Sequence, residues 1–270
     1  MKTHRDSPLG RLAVAARPSR PWLHIRASNW WRRVLLAAGA QQAPLPQNLL
    51  GVDLRGTDLS HADLRGAYLR DANLTQANLP HTSVEGAYLH GAILPGADLH
   101  GTDLSGTDLS GTNMSGSNLQ GAMLHGADLL GAILRDADLT GADLSQTILI
   151  SADLTQAHLY GANLSSARLR VATLHAADLR GAILTAADVR DADLSGANLS
   201  GADLSGANLR NTNLYDADLA SVTWSERTRW PGALAPHMRA RSVPLGGGKW
   251  RVQGSGNSGA DLEVPPVPVH

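Results

Sequence analysis

A five-residue period runs through the middle of this chain and constrains its fold more than any other feature. From position 54 to position 219 every fifth residue is leucine in 31 of 34 cases, and the residue two positions earlier is Ala in 25 units and Thr in seven. The exceptions to leucine are Val84, Met114 and Val189. A period of five matches neither the 3.6 residues of a helical turn nor the two-residue alternation of a strand. Each unit is therefore predicted to be a short extended segment followed by a bend.

The spacing within a unit predicts which side chains face inward. In a unit such as Ala-Asp-Leu the first and third side chains point to the same side of an extended backbone, because side chains alternate along it. Ala and Leu are therefore expected to form the core, together with inward-facing threonines such as Thr102 and Thr107. The other two positions must turn the chain, and the second of them is Gly in 18 of 34 units. Glycine tolerates the positive φ that tight turns require.

The repeat A-(D/N)-L-x-x, exemplified by GTDLSGTDLSGTNMSGSNLQGAMLHGADL at residues 101–129, resembles the pentapeptide-repeat family over 170 of 270 residues. The resemblance implies an all-β fold: a right-handed quadrilateral β-helix with four units per coil, in which Leu and Ala lie inside. Thirty-four units then make about 8.5 coils, and a coil spacing of about 4.8 Å gives a rod about 41 Å long. Residues twenty apart would stack in columns. One core column is predicted to be Leu54, Leu74, Leu94, Met114, Leu134, Leu154, Leu174, Leu194 and Leu214.

The composition changes at both ends of the repeat, and this defines five expected regions. They are a basic flexible leader (1–27), an N-terminal helical cap (28–51), the β-helix (52–221), a C-terminal cap (222–243) and a disordered Gly/Pro-rich tail (244–270). Ser28 is a candidate N-cap for a helix whose apolar stripe includes Trp30, Trp31 and Leu35. We interpret this helix as a lid over the first coil, and a membrane-surface or partner helix is the alternative. Trp224 continues the inward register and is expected to plug the last coil.

The net charge of −1 conceals an uneven distribution. Residues 1–51 carry a net +7, residues 52–221 a net −11 and residues 222–270 a net +3, so an acidic rod lies between basic ends. No stretch approaches the roughly 18 apolar residues needed to span a bilayer, and the chain has no cysteine. We expect a cytoplasmic protein, although the Arg-rich start leaves export or organellar targeting open.

One predicted face presents acidic residues at every second coil. Its outward column alternates Asp with Asn or His, which doubles the distance between like charges to about 9.6 Å. Two interpretations remain open: a soluble ladder that relieves repulsion, or an acidic stripe presented to a basic protein. The aspartates of this acidic stripe are Asp58, Asp98, Asp138, Asp178 and Asp218.

The face containing Leu69 has a different outer surface, in which exposed aliphatic side chains are bordered by stacked arginines. Adjacent aliphatic residues on a flat sheet are unusual for a solvated face. We expect this face to bind a protein partner or to form a homodimer. The candidate interface consists of Tyr68, Tyr88, Leu130, Ile148, Ile150, Arg168, Arg170, Arg190 and Arg210.

The sequence contains no convincing catalytic set of nucleophile, base and orienting group, and no phosphate-binding glycine loop. His61, His81 and His100 fall near one another on successive coils, but without a carboxylate shell we expect no metal site. We therefore expect a non-catalytic protein without a cofactor or small-molecule substrate.

Three classes of function remain, and the sequence names no partner. The first is a protein-binding scaffold. The second follows from the resemblance, because well-known family members mimic DNA, bind DNA gyrase or related topoisomerases and protect them from inhibitors such as quinolones. The third, direct nucleic-acid binding by the basic ends, is opposed by the acidic rod.

Overall fold

The computed structural model describes residues 48–254, and most of this range is a β-helix of stacked 20-residue coils. Parallel bridges join residues twenty apart, beginning with Asn48↔Tyr68 and continuing to Asp203↔Thr223. Each coil makes four such bridges, one per five-residue unit, so the rod has four columns of units. We call these columns face 1, face 2, face 3 and face 4, after the inward residues Leu54, Leu59, Leu64 and Leu69 respectively.

The backbone of each unit is hydrogen-bonded both to its neighbouring coils and across its own corner. Leu74 N–H donates to the Ile93 carbonyl of the next coil at 2.6 Å, and Asp98 N–H donates to the Ala77 carbonyl of the previous coil at 2.9 Å. Within a corner, Ala97 N–H donates to the Leu94 carbonyl at 3.0 Å, and the corner residue Gly96 has a φ of 63°. A positive φ at the third residue is the requirement of a type II turn. The glycine preference of the repeat therefore follows from its corners.

The core is a set of stacked Leu and Ala columns, into which threonines fit because their hydroxyl groups are paired. Thr102 Oγ1 donates to the Leu79 carbonyl at 2.8 Å, and Thr112 Oγ1 donates to the Leu109 carbonyl at 2.7 Å. A buried hydroxyl without such an acceptor would destabilise the core. Along face 1, the nine inward residues from Leu54 to Leu214 are at most 4% exposed.

The β-helix is longer at both ends than the expected range of 52–221. At the N-terminal end Asn48 and Leu49 already belong to a coil, since Leu49 is buried and its N–H donates to the Tyr68 carbonyl at 2.8 Å. At the C-terminal end the inward register continues through Trp224 to Trp230. The step between these two tryptophans is six residues, and Arg229 still bridges Asn208. The leader, Trp30, Trp31 and Leu35 lie outside the described residues.

A small α/β cap follows the last coil. It contains β1 (Thr223–Ser225), α1 (Ala235–Ala240), β2 (Ser242–Gly246) and β3 (Lys249–Val252). The strands form an antiparallel sheet in the order β1-β3-β2, with Trp224 opposite Trp250. Met238 of α1 is buried against this end of the rod. Within residues 48–254, no helix is long and apolar enough to cross a membrane.

The expectation of a disordered tail beginning at residue 244 was wrong for residues 244–252, which lie in β2 and β3. The glycines 246–248 have positive φ values of 86°, 60° and 72°, and they form the connection of a hairpin. The ring of Trp250 stacks on Trp224 with centroids 5.9 Å apart, and the Arg239 guanidinium lies 4.7 Å from the Trp250 centroid. The glycine-rich composition suggested disorder, because composition alone carries no information on contacts between residues that are distant in the sequence. Residues 255–270 lie outside the described range.

Candidate functional site

The Asp or Asn before each core leucine has a local structural task. Its side-chain oxygen accepts a hydrogen bond from the backbone N–H two residues later, at the corner, as in an Asx-turn. All five aspartates of the acidic stripe on face 2 make this bond. The donors are the N–H groups of Ser60 (3.0 Å), His100 (3.3 Å), Thr140 (3.0 Å), Arg180 (3.2 Å) and Ala220 (2.9 Å).

The alternation of Asp with Asn on face 2 also forms contacts between coils. Asn78 Nδ2 donates to Asp58 Oδ1 at 3.0 Å, and Asn118 Nδ2 donates to Asp98 at the same distance. An amide between two carboxylates therefore supplies a donor where a third carboxylate would add repulsion. These two contacts link neighbouring coils along the acidic stripe.

Part of the acidic charge of the rod is neutralised within single units. Arg65 forms two hydrogen bonds to the Asp63 carboxylate, at 2.9 and 2.7 Å. This side-chain hydrogen bonding by Arg65 lowers the pKa of Asp63 to about 2. Arg180 lowers the pKa of Asp178 in the same way. Because these pairs are on the surface, each contributes little to stability, but together they reduce the negative field around the rod.

Face 4 departs from this pattern in a way that the other faces do not. We call the position immediately before each inward Leu the capping position. On faces 1, 2 and 3 of the described chain, a residue other than Asp or Asn occupies this position only in isolated coils. On face 4 the capping residue is missing from two neighbouring coils, at Tyr68 and Tyr88. It is missing again from two neighbouring coils at Ile148 and Arg168. The surface there presents aromatic, aliphatic and cationic groups in place of a local hydrogen bond.

The N-terminal end of face 4 contains an open cleft of about 590 Å³. The rings of Tyr68 and Tyr88 stack in it with centroids 4.9 Å apart and planes 7° apart. His90 Nδ1 lies 2.8 Å from Ser110 Oγ on the next coil. The residues lining the cleft are Asn48, Leu50, Tyr68, Arg70, Tyr88, His90 and Asp108.

Farther along face 4, the structure places the predicted aliphatic and arginine residues on successive coils. Leu130 is 47% exposed, whereas Ile148 and Ile150 are only half-buried rather than fully exposed as expected. Ile148 bridges both Asp128 and Arg168 on the neighbouring coils. Tyr88 and Leu130 lie on the same face but two coils apart, so the predicted interface consists of two separate areas.

The four arginines of the predicted interface differ in their partners. Arg190 pairs with Asp188 at 2.6 Å, and Arg170 lies 3.9 Å from Asp191. Arg168 and Arg210 are exposed and have no ion pair within residues 48–254. These two guanidinium groups are therefore available to an anionic group.

The repeat that organises these faces also matches a protein family. A family model described as pentapeptide repeats (8 copies) matches residues 48–86, 85–121, 112–149, 147–185 and 187–223, well over half of the chain. The chain belongs to the pentapeptide-repeat family. The membership expected from the sequence is thus confirmed.

Several solved structures of pentapeptide-repeat proteins are similar to this chain, whereas a search of the curated proteins finds no match. HetL, involved in heterocyst differentiation regulation in the cyanobacterium Nostoc sp. strain PCC 7120, is 33% identical over 74% of this chain and 97% of HetL, with a TM-score of 0.33. QnrB1, a plasmid-mediated fluoroquinolone resistance protein, is 20% identical over 68% of this chain and 92% of its own, with a TM-score of 0.47. A pentapeptide-repeat protein from the Arabidopsis thaliana thylakoid lumen is 34% identical over 47% of this chain and 68% of its own, with a TM-score of 0.19.

Val171, at a corner of face 4, is unusual among the corner residues of this pentapeptide-repeat protein and was not predicted from the sequence to be important. Val171 occupies the corner position with a φ of 58° and is 53% exposed. Among residues 48–254 it is the single β-branched residue with positive φ. A β-branched side chain in this region is strained, at a cost of about 1–3 kcal/mol. The signal was present in the repeat, because this position is Gly in 18 of 34 units.

The three histidines on face 2 of this pentapeptide-repeat protein lie close together. The rings of His61 and His81 stack with centroids 5.6 Å apart, and His100 approaches His81 edge-on at 5.5 Å. His100 Nδ1 is 2.9 Å from Asp98 Oδ1. Within the part of the chain that the structure describes, no three His, Asp or Glu side chains are grouped so that they could hold a metal ion.

Proposed function

We propose that this chain is a non-catalytic protein-binding scaffold that holds its partner on the C-terminal half of face 4. The strained, exposed Val171 is the observation that carries the proposal. It lies next to Arg170 and one coil beyond Ile150, so it extends the apolar surface. Because Val171 is exposed in the free chain, hydrophobic burial does not offset the free-energy cost of its positive φ. We call the surface formed by Leu130, Ile148, Ile150, Arg168, Arg170, Val171, Arg190 and Arg210 the partner patch.

The composition of the partner patch supports this role. Interfaces commonly combine an apolar centre with a polar rim, and arginine is enriched among residues that contribute most to binding. Here Leu130 and Ile150 stack on successive coils at one end, and Arg170, Arg190 and Arg210 continue their column. Arg168 lies in the adjacent column, after Ile148. A right-handed quadrilateral β-helix would present this surface on one flat side. We place the scaffold in the cytoplasm, as expected from the sequence.

The proposal is tested by exchanging the aliphatic groups of the partner patch for serine. The double variant Ile148→Ser/Ile150→Ser is expected to lose bound protein in a pull-down from a lysate of the host cells, because it removes the apolar centre without changing the core. The matched control is Ile93→Ser/Ile133→Ser, which changes two outward isoleucines on face 1 that are 41% and 37% exposed. Partners retained equally by both variants would contradict the proposal.

Self-association is a version of the same proposal that the two double variants also test. If the partner is a second copy of this chain, sedimentation will show a dimer that the Ile148→Ser/Ile150→Ser variant loses and the face 1 control keeps. An unchanged profile, together with unchanged capture of other proteins, would exclude the partner patch as an interface.

A second candidate function is mimicry of DNA by the rod, with binding to DNA gyrase or another topoisomerase and protection from its inhibitors. The observation in its favour is the net charge of −11 over residues 52–221, with carboxylates of the acidic stripe at every second coil. A salt titration separates the two candidates, because binding through exposed charges weakens steeply as salt rises, whereas an apolar contact changes little. Topoisomerase binding that is salt-sensitive and survives Ile148→Ser/Ile150→Ser would favour mimicry.

A further inference from the structure

The outward residues of face 4 change the sign of their charge on either side of one aliphatic coil. In the column that contains Ile148, Asp128 and then Asp108 lie on the two preceding coils, and Arg168 lies on the next coil. Beyond Ile150 the neighbouring column continues with Arg170, Arg190 and Arg210. The middle of face 4 is therefore acidic on one side of Ile148 and Ile150 and basic on the other side.

We propose that the partner bound by face 4 is a second copy of this chain, packed antiparallel on the same face about a two-fold axis at Ile148 and Ile150. This inference rests on the proposed function of the partner patch and names its partner. Two-fold dimers are the commonest homo-oligomers, and their interface is self-complementary: if residue i contacts residue j of the other copy, then j also contacts i. Face 4 meets this requirement, because reversing its direction exchanges its acidic side and its basic side.

The contact next to the two-fold axis joins two groups that are unpaired in the single chain. One coil from the axis, Arg168 of each copy lies opposite Asp128 of the other copy. Within residues 48–254 neither Arg168 nor Asp128 has an ion pair. The Asp128 carboxylate accepts the N–H of Leu130 at 3.0 Å, and a carboxylate has further lone pairs for a guanidinium. The symmetry produces this contact twice.

The apolar side chains are grouped around the same axis. Ile148 and Ile150 lie on it, Leu130 lies on the coil before them and Val171 at the corner of the coil after them. In the dimer, the Val171 corner of one copy lies opposite the Gly131 corner of the other. A Cβ at Gly131 would have no atom within 4 Å, so this corner leaves room for the valine. Burial of Leu130 and Val171, which are 47% and 53% exposed, supplies the driving force that surface ion pairs lack.

Two coils from the axis, a carboxylate meets a neutral ion pair. Asp108 of each copy lies opposite Asp188, whose carboxylate is 2.6 Å from the Arg190 guanidinium of the same chain. Because Arg190 already balances the charge of Asp188, the two aspartates do not meet as bare like charges. The guanidinium then lies between two carboxylates and can donate to both.

Farther from the axis, the antiparallel arrangement brings the two separate areas of face 4 into one interface. Three coils away, Arg210 of one copy lies opposite the coil that carries Tyr88 and His90 in the other. Four coils away, Arg229, which bridges Asn208 and so continues the same face, lies opposite Tyr68. The tyrosine rings are about half exposed, and a guanidinium over an aromatic ring is a favourable contact.

The other unpaired arginines of the C-terminal cap lie beside this surface. Arg227 belongs to the corner between faces 3 and 4, which is closed by the hydrogen bond from Thr228 N–H to the Ser225 carbonyl. Arg251 pairs with Thr223 in the sheet of the cap, on face 3. The contacts that define the orientation of the dimer are therefore those near the axis, between Arg168 and Asp128.

The alternative symmetric arrangement, with the two rods parallel, is opposed by charge. A two-fold axis along the rod would place each coil opposite the same coil of the other copy. Arg168 and Arg170 would then face their own counterparts, and like charges at close range repel. The antiparallel arrangement removes this repulsion and keeps the register, because both copies have the same coil spacing of about 4.8 Å.

The size of the interface indicates a weak dimer. From Tyr68 to Arg229 the overlap covers eight coil steps, about 38 Å, and a face of three or four extended residues is about 10–13 Å wide. This gives roughly 400–500 Å² per copy, at the low end for specific complexes. We therefore expect a dissociation constant in the micromolar range.

The dimer is tested by sedimentation of the full-length chain, from micromolar to near-millimolar concentration, at pH 8, where histidine is ordinarily neutral. We expect Asp128→Arg and Arg168→Asp each to weaken the dimer by about tenfold or more, because each homodimer then contains two contacts between like charges. An equimolar mixture of the two variants should recover the original affinity, because both contacts of the mixed dimer again join opposite charges.

Asp103→Arg is the matched control for these variants. It makes the same change at a capping position of face 3, where Asp103 accepts the N–H of Ser105 at 3.0 Å, and it should dimerise like the unchanged chain. Circular dichroism melts verify that each variant is folded. If Asp128→Arg does not fold, Asp128→Asn keeps an acceptor for the corner N–H and takes its place. Arg168→Asp/Asp128→Asn should then dimerise more tightly than Arg168→Asp alone.

The outcomes separate this inference from the proposed function. A mixture that associates no more tightly than the single variants would overturn the antiparallel pairing, and a chain that stays monomeric throughout would overturn the second copy as the partner. In the monomeric case, the scaffold function would still stand if Ile148→Ser/Ile150→Ser loses a captured protein. A dimer that this serine variant keeps, with capture also unchanged, would contradict both the partner patch and the antiparallel dimer.

Discussion

The capping position shows how one residue type can serve the backbone and the surface together. An Asp there provides the acceptor for a corner N–H, so selection for a stable corner alone would produce acidic columns along a rod. Asp58 and Asp98 illustrate this, since each accepts a backbone N–H and an Asn amide from the next coil. Consequently the positions that carry information about a surface function are those where the capping residue is missing in successive coils, as it is on face 4.

Replacing Val171 by glycine should separate stability from binding. Glycine adopts a φ of 58° without strain, so Val171→Gly is expected to stabilise the rod by about 1 kcal/mol, with a higher Tm in a circular dichroism melt. It should also weaken partner capture, because an apolar side chain of the partner patch is lost. The control is Ala176→Gly, at the next corner with a φ of 55°, which should leave capture unchanged. A Val171→Gly variant that is less stable, or that binds its partner as before, would contradict this account.

At the level of single residues, the sequence predicted the inside of the rod better than the outside. Leu and Ala positions follow directly from a five-residue period on an extended backbone, and Leu139 is fully buried as that period requires. The half-burial of Ile148 and Ile150 depends on how neighbouring side chains are placed, and the sequence alone does not give those positions. The strain at Val171 was not predicted, because it depends on the backbone φ and a periodic pattern of apolar residues carries no information on φ.

The cap of β1, α1, β2 and β3 closes the end of a stack whose last coil would otherwise expose apolar core and unpaired backbone. Trp224 belongs both to the core register and to β1, and its Nε1 donates to Ser242 Oγ at 2.9 Å. The inward position of Trp224, which is 7% exposed, could be predicted from the sequence because it continues the five-residue spacing. The hairpin of β2 and β3 could not, because its stability comes from contacts between residues about 25 positions apart, such as Trp224 with Trp250.

Removing the Trp250 ring should loosen the last coils selectively. Trp250→Ala loses the stacking on Trp224 and the contact with Arg239, and because Trp250 is half-buried we expect a loss of about 2 kcal/mol. Hydrogen exchange at the amides of Leu209 and Val222 should accelerate, while exchange at Leu139 changes less, because each coil contacts only its neighbours. Leu245→Ala, a change at a residue of the same hairpin that is 43% exposed, is the control. Uniform acceleration along the rod would show that the cap stabilises the whole molecule cooperatively.

For the whole molecule, the uninterrupted stacking of coils makes the centre of the rod intolerant of charge. Leu139 is 0% exposed near the middle of the stack, so Leu139→Asp would bury a carboxylate among leucines without a partner. We expect this variant not to fold, with loss of the native circular dichroism signal. Leu130→Asp makes the same chemical change at a side chain that is 47% exposed and should leave the fold intact. A native-like melt for Leu139→Asp would be incompatible with the inward register.

The four-unit coil also determines how such a protein can change in length. Inserting or deleting twenty residues within the rod would leave every outward column on its own face, with the coils beyond the change displaced by one step along the axis. Inserting five residues would instead rotate everything beyond the insertion by one face. An insertion between Leu130 and Ile148 would therefore place the four arginines of the partner patch on a different side from Leu130. Duplications of whole coils are therefore the length changes that preserve a binding surface, and the six-residue step from Trp224 to Trp230 marks where that constraint ends.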